Sequence, residues 1–398
     1  MRGRLAIAAG VGLLAALPAP GVASEVHVEI PGKGNSFVVF TAEPGERNRL
    51  SVASTGVDTV RVTDQGNSLL AGFGCESVNA NQATCDVTPP PRAFQVLIEV
   101  EAELGGKRDR AEAGSGVRWR SLDGGPGRDR LLGSAFFDFL DGGRGADKVF
   151  GRGSDDTVSY TDRPDDLRVT LGDRKRNEGG RRDGRKRDLL KGIEDVGGGE
   201  GDDLLVGNAR ENRLVGEGGN DKLRGRGATD HLFGFDGRDT LRGGGGGDDL
   251  QDMDGNDRVF GQGGDDTVAA GTPNGADLIV GGGQAGDRIM YTSEARIQMD
   301  GRANDGKCAD PSCATSEERD NLKGLRTLST FFGNDLIIGS NVSETIGPGP
   351  GADRVRALGG NDTINLGADA SAIDDVDCGT GTDTVIGAQP EDLLVNCE

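Results

Sequence analysis

Aspartates recur at a fixed spacing in the middle of this chain, and several follow a second acidic residue. Asp202-Asp203 and Asp265-Asp266 are two such pairs. Neighbouring carboxylates can act as the acid and base of a glycosidase, or their oxygens can ligate a hard divalent cation. The strict period of these aspartates favours ligands over catalysts.

The period is nine residues. Residues 198–269 divide into eight contiguous nine-residue units, with leucine or valine at position eight of every unit. Position four is glycine in six units, and Arg210 and Ala228 are the exceptions. Position six is aspartate in seven of the eight units, and its residues are Asp203, Asn212, Asp221, Asp230, Asp239, Asp248, Asp257 and Asp266.

Two shorter runs repeat the pattern. Residues 124–159 hold four units and residues 330–365 hold four more, while residues 378–386 form a looser unit. One such match is weak evidence in a chain with 70 glycines, but eight in phase are strong evidence. Position six in these runs is Asp129, Asp138, Asp147, Asp156, Asp335, Glu344, Asp353, Asp362 and Asp383.

The spacing predicts a local structure for each unit. Six glycine-rich residues form a turn, because glycine adopts left-handed backbone angles without penalty. The other three form a short strand whose middle residue, position eight, points inward. Two units complete one coil, and successive coils stack as parallel strands about 4.8 Å apart. A glycine-rich acidic composition is also typical of disorder, but the period favours a repeat fold.

The unit resembles the RTX (haemolysin-type calcium-binding) repeat, GGxGxDxUx. The resemblance implies an all-β fold, a right-handed parallel β-roll, with several Ca²⁺ ions between turns stacked on one edge. Backbone carbonyls and position-six carboxylates would bind these ions. The implied metal-site residues are Asp203, Asp221, Asp239, Asp257, Asp230, Asp248, Asp266, Asp129, Asp147, Asp138, Asp156, Asp335, Asp353, Asp362 and Asp383, with Gly201, Gly219, Gly237 and Gly255.

Units two apart should share an edge of the solenoid. Position six of one edge, the Asp203 edge, is Asp203, Asp221, Asp239 and Asp257; position six of the other, the Asn212 edge, is Asn212, Asp230, Asp248 and Asp266. The Asn212 edge carries both exceptions at position four. We therefore expect three good calcium sites on the Asp203 edge and one or two on the Asn212 edge.

Folding of the repeats should depend on calcium. One aliphatic side chain in nine residues buries little apolar surface, and stacked carboxylates repel one another until a divalent cation lies between them. Binding free energy then becomes folding free energy. We expect the repeat segments to be largely unfolded without Ca²⁺.

Charge and the first residues of the chain bear on its location. A net charge of −21 argues against binding to nucleic acid or anionic membranes. Arg2 and Arg4 precede a short apolar run, residues 5–17, and small residues then offer cleavage after Ala23 or Ser24. These features predict a signal peptide, residues 1–24, and a secreted, extracellular protein. The apolar run is too short for a transmembrane span, so no membrane insertion is expected.

Six cysteines fit an oxidising compartment. They lie in three sequence-local pairs, and we expect the disulfides 75–85, 308–313 and 378–397, although six cysteines allow 15 connectivities. A zinc site is the alternative, but the chain has no CxxC pair and only two histidines.

The repeats divide the chain into segments. A strand-rich segment, residues 25–120, is predicted to cap the solenoid, with a separate ligand-binding sandwich as the alternative. The repeat blocks are residues 121–159, 198–290 and 330–398, the last including a C-terminal cap. Between them lie two spacer coils, residues 160–197 with a basic loop and residues 291–329 with Cys308 and Cys313, and each begins near a Tyr-Thr pair.

Known catalytic signatures are missing from the sequence. It contains neither HExxH, the zinc-protease motif, nor GxSxG, the lipase nucleophile motif. The sequence therefore favours a non-enzymatic, structural or surface-associated calcium-binding protein. The alternative is an extracellular adhesin that grips an acidic polysaccharide or a protein partner. In that case the basic run between Arg174 and Arg187, otherwise a solvated loop, would supply the contact.

Overall fold

The computed structural model describes most of the repeat region and much of the segment before it. Three predictions fall outside the described residues: the signal peptide apart from Ser24, the basic run from Arg174 to Arg187, and the Cys308–Cys313 pair. The described residues are 24–29, 37–43, 45–56, 59–87, 98–172, 188–270, 277–282, 286–291, 296–298, 321–323, 325–330, 334–367 and 372–397.

Each nonapeptide forms a strand around positions seven to nine, as its spacing predicts. Position eight of all eight units in residues 198–269 is fully buried, from Leu205 to Val268. The residues on either side of position eight point outward and are half-buried or exposed in most units. The core is therefore a single column of aliphatic side chains for each row of strands.

The chain forms two compact units. The described part of the first unit is residues up to 159 together with 188–193. Its strands are β1 (Ser24–Glu29), β2 (Phe37–Thr41), β3 (Arg49–Ser54), β4 (Thr59–Asp64), β5 (Leu69–Ala71), β6 (Cys75–Asn79), β7 (Gln82–Asp86), β8 (Ile98–Glu103), β9 (Arg110–Ala113), β10 (Val117–Asp123), β11 (Arg130–Leu132), β12 (Phe139–Asp141), β13 (Lys148–Phe150), β14 (Thr157–Ser159) and β16 (Leu189–Lys191).

Parallel and antiparallel strands share the two sheets of this first unit. In one sheet, β2, β8, β10, β12 and β14 follow one another in parallel, and β1 pairs antiparallel with β2. In the other, β3, β9, β11, β13 and β16 are parallel, while β3, β4, β7 and β6 pair antiparallel. The strand-rich N-terminal segment thus continues directly into the first repeats.

The second unit holds the main repeat block and everything described after it. Its described residues are 160–172 and those from 194 onward. Its strands are β15 (Arg168–Thr170), β17 (Asp195–Gly197), β18 (Leu204–Val206), β19 (Arg213–Gly218), β20 (Lys222–Arg224), β21 (His231–Asp236), β22 (Thr240–Gly245), β23 (Asp249–Asp254), β24 (Arg258–Gly263), β25 (Thr267–Ala270), β26 (Leu278–Val280), β27 (Arg288–Tyr291), β28 (Arg296–Gln298), β29 (Asn321–Lys323), β30 (Thr327–Thr330), β31 (Leu336–Ile338), β32 (Thr345–Gly347), β33 (Arg354–Arg356), β34 (Thr363–Asn365), β35 (Asp375–Asp377), β36 (Thr384–Ile386) and β37 (Leu393–Val395).

Three parallel rows make up this second unit. One row runs from β17 through β19, β21, β23, β25, β27, β30, β32 and β34 to β36. The second row runs from β15 to β29 and the third from β28 to β37. Consecutive units therefore alternate between rows, which places units two apart side by side.

The two spacers have the same topology. A strand near the start of each begins a row of the second unit, β15 in the first spacer and β28 in the second. A later strand in each ends an earlier row, because β16 pairs with β13 and β29 pairs with β26. The Tyr residues that precede these strands, Tyr160 and Tyr291, are both buried.

The predicted fold class is confirmed as an all-strand, parallel β-solenoid of the β-roll type. Disulfides link Cys75 with Cys85 and Cys378 with Cys397, as expected for two of the three local pairs. Among the described residues, no helical segment has the length and hydropathy of a membrane span.

Candidate metal centres

Position-six residues stack into ladders along the Asp203 edge. The backbone N–H of Asp203 donates to Oδ1 of Asp221, 18 residues later, at 2.7 Å. The same bond joins Asp221 to Asp239 at 2.8 Å and Asp239 to Asp257 at 2.7 Å. One carboxylate oxygen of each aspartate is therefore used to hold successive coils together.

The Asn212 edge is built in the same way. The N–H of Asn212 donates to Oδ1 of Asp230 at 2.8 Å, and the N–H of Asp230 donates to Oδ1 of Asp248 at 2.8 Å. The N–H of Asp248 donates to Oδ1 of Asp266 at 2.9 Å. The structure thus brings together the two sets of residues that the nine-residue period assigns to separate edges.

The second carboxylate oxygen divides the turns into two kinds. In one kind, which we call an open turn, Oδ2 of the position-six aspartate is buried and has no hydrogen-bond partner among the described residues. Burying a charged oxygen without a partner is costly, so these atoms need a ligand or a proton. Nine aspartates of open turns are Asp109, Asp129, Asp221, Asp230, Asp239, Asp248, Asp257, Asp266 and Asp362.

In the other kind, a closed turn, the N–H of position two donates to that second oxygen. Gly199 donates to Oδ2 of Asp203 at 2.9 Å, and Ser134 donates to Oδ2 of Asp138 at 2.5 Å. In two further closed turns of the described residues, the N–H of Asn208 donates to Oδ1 of Asn212, the single oxygen of that amide, at 2.7 Å, and the N–H of Ser340 donates to Oε2 of Glu344 at 3.0 Å. A closed turn satisfies its position-six side chain without a cation.

The backbone angle at position two distinguishes the two kinds. Glu217, Phe235 and Met253 occupy position two of open turns and have positive φ, between 70° and 74°. Neither Ser134 nor Asn208, in closed turns, is among the residues with positive φ. A left-handed position two turns its N–H away from the carboxylate, and most non-glycine residues adopt that conformation only at a cost. The open turn is therefore a conformation that the fold imposes.

Burial and mutual repulsion raise the pKa of these carboxyl groups. Burial raises the pKa of Asp221 to about 8, with further contributions from the charges of Asp203 and Asp239. Burial likewise raises the pKa of Asp129 to about 8 and that of Asp230 to about 7. Carboxyl groups with such values hold protons near neutral pH unless a cation takes their place.

The donor set suits a hard, oxygen-binding cation. The open turns present aspartate oxygens, and the only cluster of potential metal ligands found in the described residues contains three aspartates and neither histidine nor cysteine. Carbonyl oxygens also stack beside them: a Cβ built at Gly237 would lie 1.6 Å from the carbonyl oxygen of Gly219. Carboxylate and carbonyl oxygens are the ligands Ca²⁺ takes in proteins, so the residues fit the predicted ion.

The number of calcium sites on each edge stays a prediction, but the open turns of the main repeat block are divided equally between the two edges. Asp203 and Asn212, the first members of the two edges, both lie in closed turns. The next three members of each edge lie in open turns. The turn of Asp230 is open although its position four is Ala228 and not glycine. Each edge of residues 198–269 therefore offers three open turns.

The remaining predicted ligands also join ladders. In the first repeat block, the backbone N–H of Asp129 donates to Oδ1 of Asp147, and that of Asp138 donates to Oδ1 of Asp156. In the third block, the N–H of Asp335 donates to Oδ1 of Asp353, and that of Asp362 donates to Oδ1 of Asp383. Of all the predicted aspartates, Asp138 and Asp203 are the two whose second oxygen accepts a position-two N–H within the described residues. The glycines Gly219, Gly237 and Gly255 have positive φ and lie against the carbonyl oxygen of the preceding coil.

Sequence reasoning missed six ladder members. Each occupies the same place as a position-six aspartate, since its Oδ1 accepts the N–H of the preceding ladder residue. All six precede a position-eight aliphatic residue by two, so an Asp-x-aliphatic signal could have found them even where the glycine-rich half of the unit is lost. They are Asp109, Asp188, Asp277, Asp287, Asp374 and Asp392.

Comparison with known protein families agrees with this geometry. A family model described as the RTX calcium-binding nonapeptide repeat, in four copies, matches residues 123–158, 197–232, 218–250, 242–272 and 349–371. No curated protein gives a significant match to the chain. The matched segments contain eight of the nine open turns named above, namely the six of the main repeat block and those of Asp129 and Asp362.

Proposed function

We propose that this chain, which carries RTX calcium-binding nonapeptide repeats, is a secreted, non-enzymatic protein whose open turns bind Ca²⁺ and fold as they do so. The cation takes the place that a proton would otherwise occupy on each buried Oδ2. Closed turns contribute coils but no cation. Several ions per chain are expected, distributed over both edges of residues 216–269.

One observation carries the proposal: the buried, unpartnered Oδ2 of the open turns. Six such atoms lie between Asp221 and Asp266 alone, three on each edge. In the same block, a side-chain oxygen of Asp203 and of Asn212 accepts the position-two N–H, a bond that the open turns lack. The fold thus satisfies this oxygen where no cation is required and leaves it bare in regularly spaced turns elsewhere. Binding of Ca²⁺ would account for that spacing.

Secretion is supported at the start of the described chain. Ser24 begins β1, is fully buried, and donates its hydroxyl hydrogen to Glu46 Oε2 at 2.8 Å. A residue held in this way belongs to the folded protein, which favours cleavage after Ala23 over cleavage after Ser24. The two disulfides of the described residues also suit an oxidising compartment.

A structural role follows from the way the acidic groups are used. The carboxylates of the ladders are tied to backbone N–H groups by their first oxygen and are buried, so they are placed to hold coils together. A hydrolase would need an acidic pair beside a cleft that admits substrate. The protein is proposed to act as a calcium-stabilised extracellular scaffold.

The test is a Ca²⁺ titration of the metal-stripped chain from Ser24 onward, followed by far-UV circular dichroism. A cooperative gain of β signal is expected with Ca²⁺, whereas Mg²⁺ should fail because it demands a tighter octahedral shell. The matched variants are D221N/D239N/D257N, which removes three open-turn carboxylates, and D155N/D236N/D265N, which removes three exposed ones.

Equal charge loss in the two variants isolates the role of the open turns. The first variant should require a higher Ca²⁺ concentration and bind fewer ions than the second. A metal-stripped chain that is already folded, and whose spectrum Ca²⁺ leaves unchanged, would rule out the proposed function. So would equal titrations of the two variants.

A further inference from the structure

One unit of the main block departs from the repeat at position one. This position is glycine in seven of the eight units and is Asp252 in the seventh. Glycine is needed there because a Cβ would point at the Oδ2 of the same unit: it would lie 2.3 Å from Asp221 Oδ2 at Gly216 and 2.4 Å from Asp239 Oδ2 at Gly234. A side chain at position one is therefore aimed at the oxygen that an open turn leaves bare.

Asp252 brings a carboxylate to that place. It is fully buried, and its Oδ1 accepts the N–H of Met253 at 2.9 Å. One carboxylate oxygen from each of Asp252, Asp257 and Asp277 lies within 4.8 Å of the others. The cluster thus combines two successive members of the Asp203 edge with a third carboxylate from position one.

Asp257 supplies an independent indication that the cluster holds a ligand. It is 1% exposed, and its Oδ2 has no hydrogen-bond partner among the described residues. The neighbours that act on it electrostatically are Asp277, Asp252 and Asp239, all of them acidic. Asp252 and Asp257 are buried and Asp277 is half-buried, so the three carboxylates repel one another unless a cation lies among them.

We propose that Asp252, Asp257 and Asp277 form a distinct cation site that binds Ca²⁺ more tightly than the other open turns and fills first. The inference rests on the proposed function, because it assumes that open turns bind Ca²⁺ at all. Affinity for Ca²⁺ in proteins rises with the number of charged ligands, and this site has one carboxylate more than a regular position-six pair. A trivalent lanthanide ion, which matches the charge of three carboxylates, should prefer it further.

A purely structural role for Asp252 is the competing explanation, because its Oδ1 caps the N–H of Met253. D252N separates the two. Asparagine keeps an oxygen that can accept this N–H but loses the charge, whereas D252G restores the residue found in the other seven units. D236N serves as the control, since it removes one exposed aspartate of the same edge.

The experiment measures stepwise Ca²⁺ binding by the metal-stripped full chain in competition with a chromophoric chelator, and repeats it with Tb³⁺. Both D252N and D252G should raise the first dissociation constant at least about tenfold for Ca²⁺, and more for Tb³⁺. D236N should leave the first step within about twofold of the unaltered chain, because exposed charges contribute little. Circular dichroism at saturating Ca²⁺ checks that every variant folds.

The outcomes distinguish this inference from the proposed function. If the unaltered chain binds several ions and both Asp252 variants keep its first dissociation constant, the three-carboxylate site is wrong while the proposed function stands. If D236N weakens the first step as much as D252N, general charge rather than the site explains the affinity, and the inference also fails. A chain that binds no Ca²⁺ would contradict the proposed function itself.

Discussion

Residues 198–215 and residues 216–269 are built from the same nonapeptide repeat, yet they differ in how the side-chain oxygen at position six is satisfied. In the first region, the N–H of Gly199 donates to Oδ2 of Asp203, and the N–H of Asn208 donates to Oδ1 of Asn212, the single oxygen of that amide. In the second region, the corresponding oxygen is bare in all six units. The repeat therefore encodes the coil, and a smaller local feature decides whether a turn of that coil calls for a cation.

Asn212 shows what a turn looks like when it needs no cation. Its Nδ2 donates to the carbonyl oxygen of Glu194 at 2.8 Å, and its Oδ1 accepts from Asn208. Every polar atom of the amide thus has a partner. A carboxylate in the same place has a second oxygen instead of the amide nitrogen. That oxygen must accept an N–H, carry a proton or bind a metal ion. Asn212 therefore satisfies its side chain within the protein, whereas a carboxylate does so only where a position-two N–H reaches its second oxygen, as at Asp203.

The largest expected effect is on the pH dependence of the metal-free chain. Burial raises the pKa of Asp221 and of Asp257 to about 8, from the 3.8 of an ordinary aspartate. Between these values the folded state binds more protons than the unfolded state, so metal-free stability must fall as pH rises from 4 to 8. We expect the metal-free chain, which is largely unfolded at pH 8, to gain β signal at pH 5 and to show there a cooperative melting transition that it lacks at pH 8.

Saturating Ca²⁺ should reverse the direction. Protons then compete with the ion for the open-turn oxygens, so stability should rise with pH over the same range. Thermal melts at pH 5, 6, 7 and 8, with chelator and with Ca²⁺, check both directions. Parallel trends in the two series would mean that the buried carboxylates are neither protonated nor metal-bound in the way the open turns require.

Asparagine substitutions compare the two kinds of turn directly. D239N alters an open turn but keeps an oxygen for the N–H of Asp221, so the ladder bond survives and the charged ligand is lost. It should reduce the number of bound Ca²⁺ ions by at least one. D203N alters a closed turn, where Gly199 already occupies Oδ2, and should leave that number unchanged.

Stability alone would not separate these variants. D203N can lose a bond from the N–H of Leu167, which costs about 1 kcal/mol for a typical hydrogen bond. The deciding measurement is therefore the Ca²⁺ stoichiometry from equilibrium dialysis. Loss of an ion in D203N, or full stoichiometry in D239N, would break the distinction between open and closed turns.

The sequence predicts the solenoid because the coil depends on residues that recur. Leu205 and its counterparts at position eight are buried in phase, and the 18-residue ladders follow from two units per coil. Asp277 and Asp287 escaped prediction because they follow the preceding aspartate, Asp266 and Asp277 respectively, by 11 and 10 residues and so fall outside the nine-residue phase. The strands survive there because position eight alone supplies the buried side chain.

The kind of turn could be predicted only in part. Ser134, Asn208 and Ser340 stand at position two of closed turns, and side chains of this type favour local hydrogen bonds. The unit of Asp203 has glycine at positions one, two and four, like an open turn, yet it is closed. Its Gly199 lies against the carbonyl oxygen of Arg163 in the spacer, a contact that no repeat pattern contains.

The smallest expected effect comes from giving the closed turn of Asn212 the carboxylate of its neighbours. In N212D, an oxygen replaces the Nδ2 that donates to the carbonyl oxygen of Glu194. Two acceptors then face each other in a buried site, which should lower the free energy of unfolding by about 1–3 kcal/mol. Because the N–H of Asn208 still occupies the other oxygen, Ca²⁺ should neither rescue this loss nor bind in greater number. Denaturant unfolding with and without Ca²⁺ measures both quantities. An additional bound ion in N212D would mean that a carboxylate at position six is sufficient to open a turn, and the position-two backbone would then be a consequence of the cation and not its precondition.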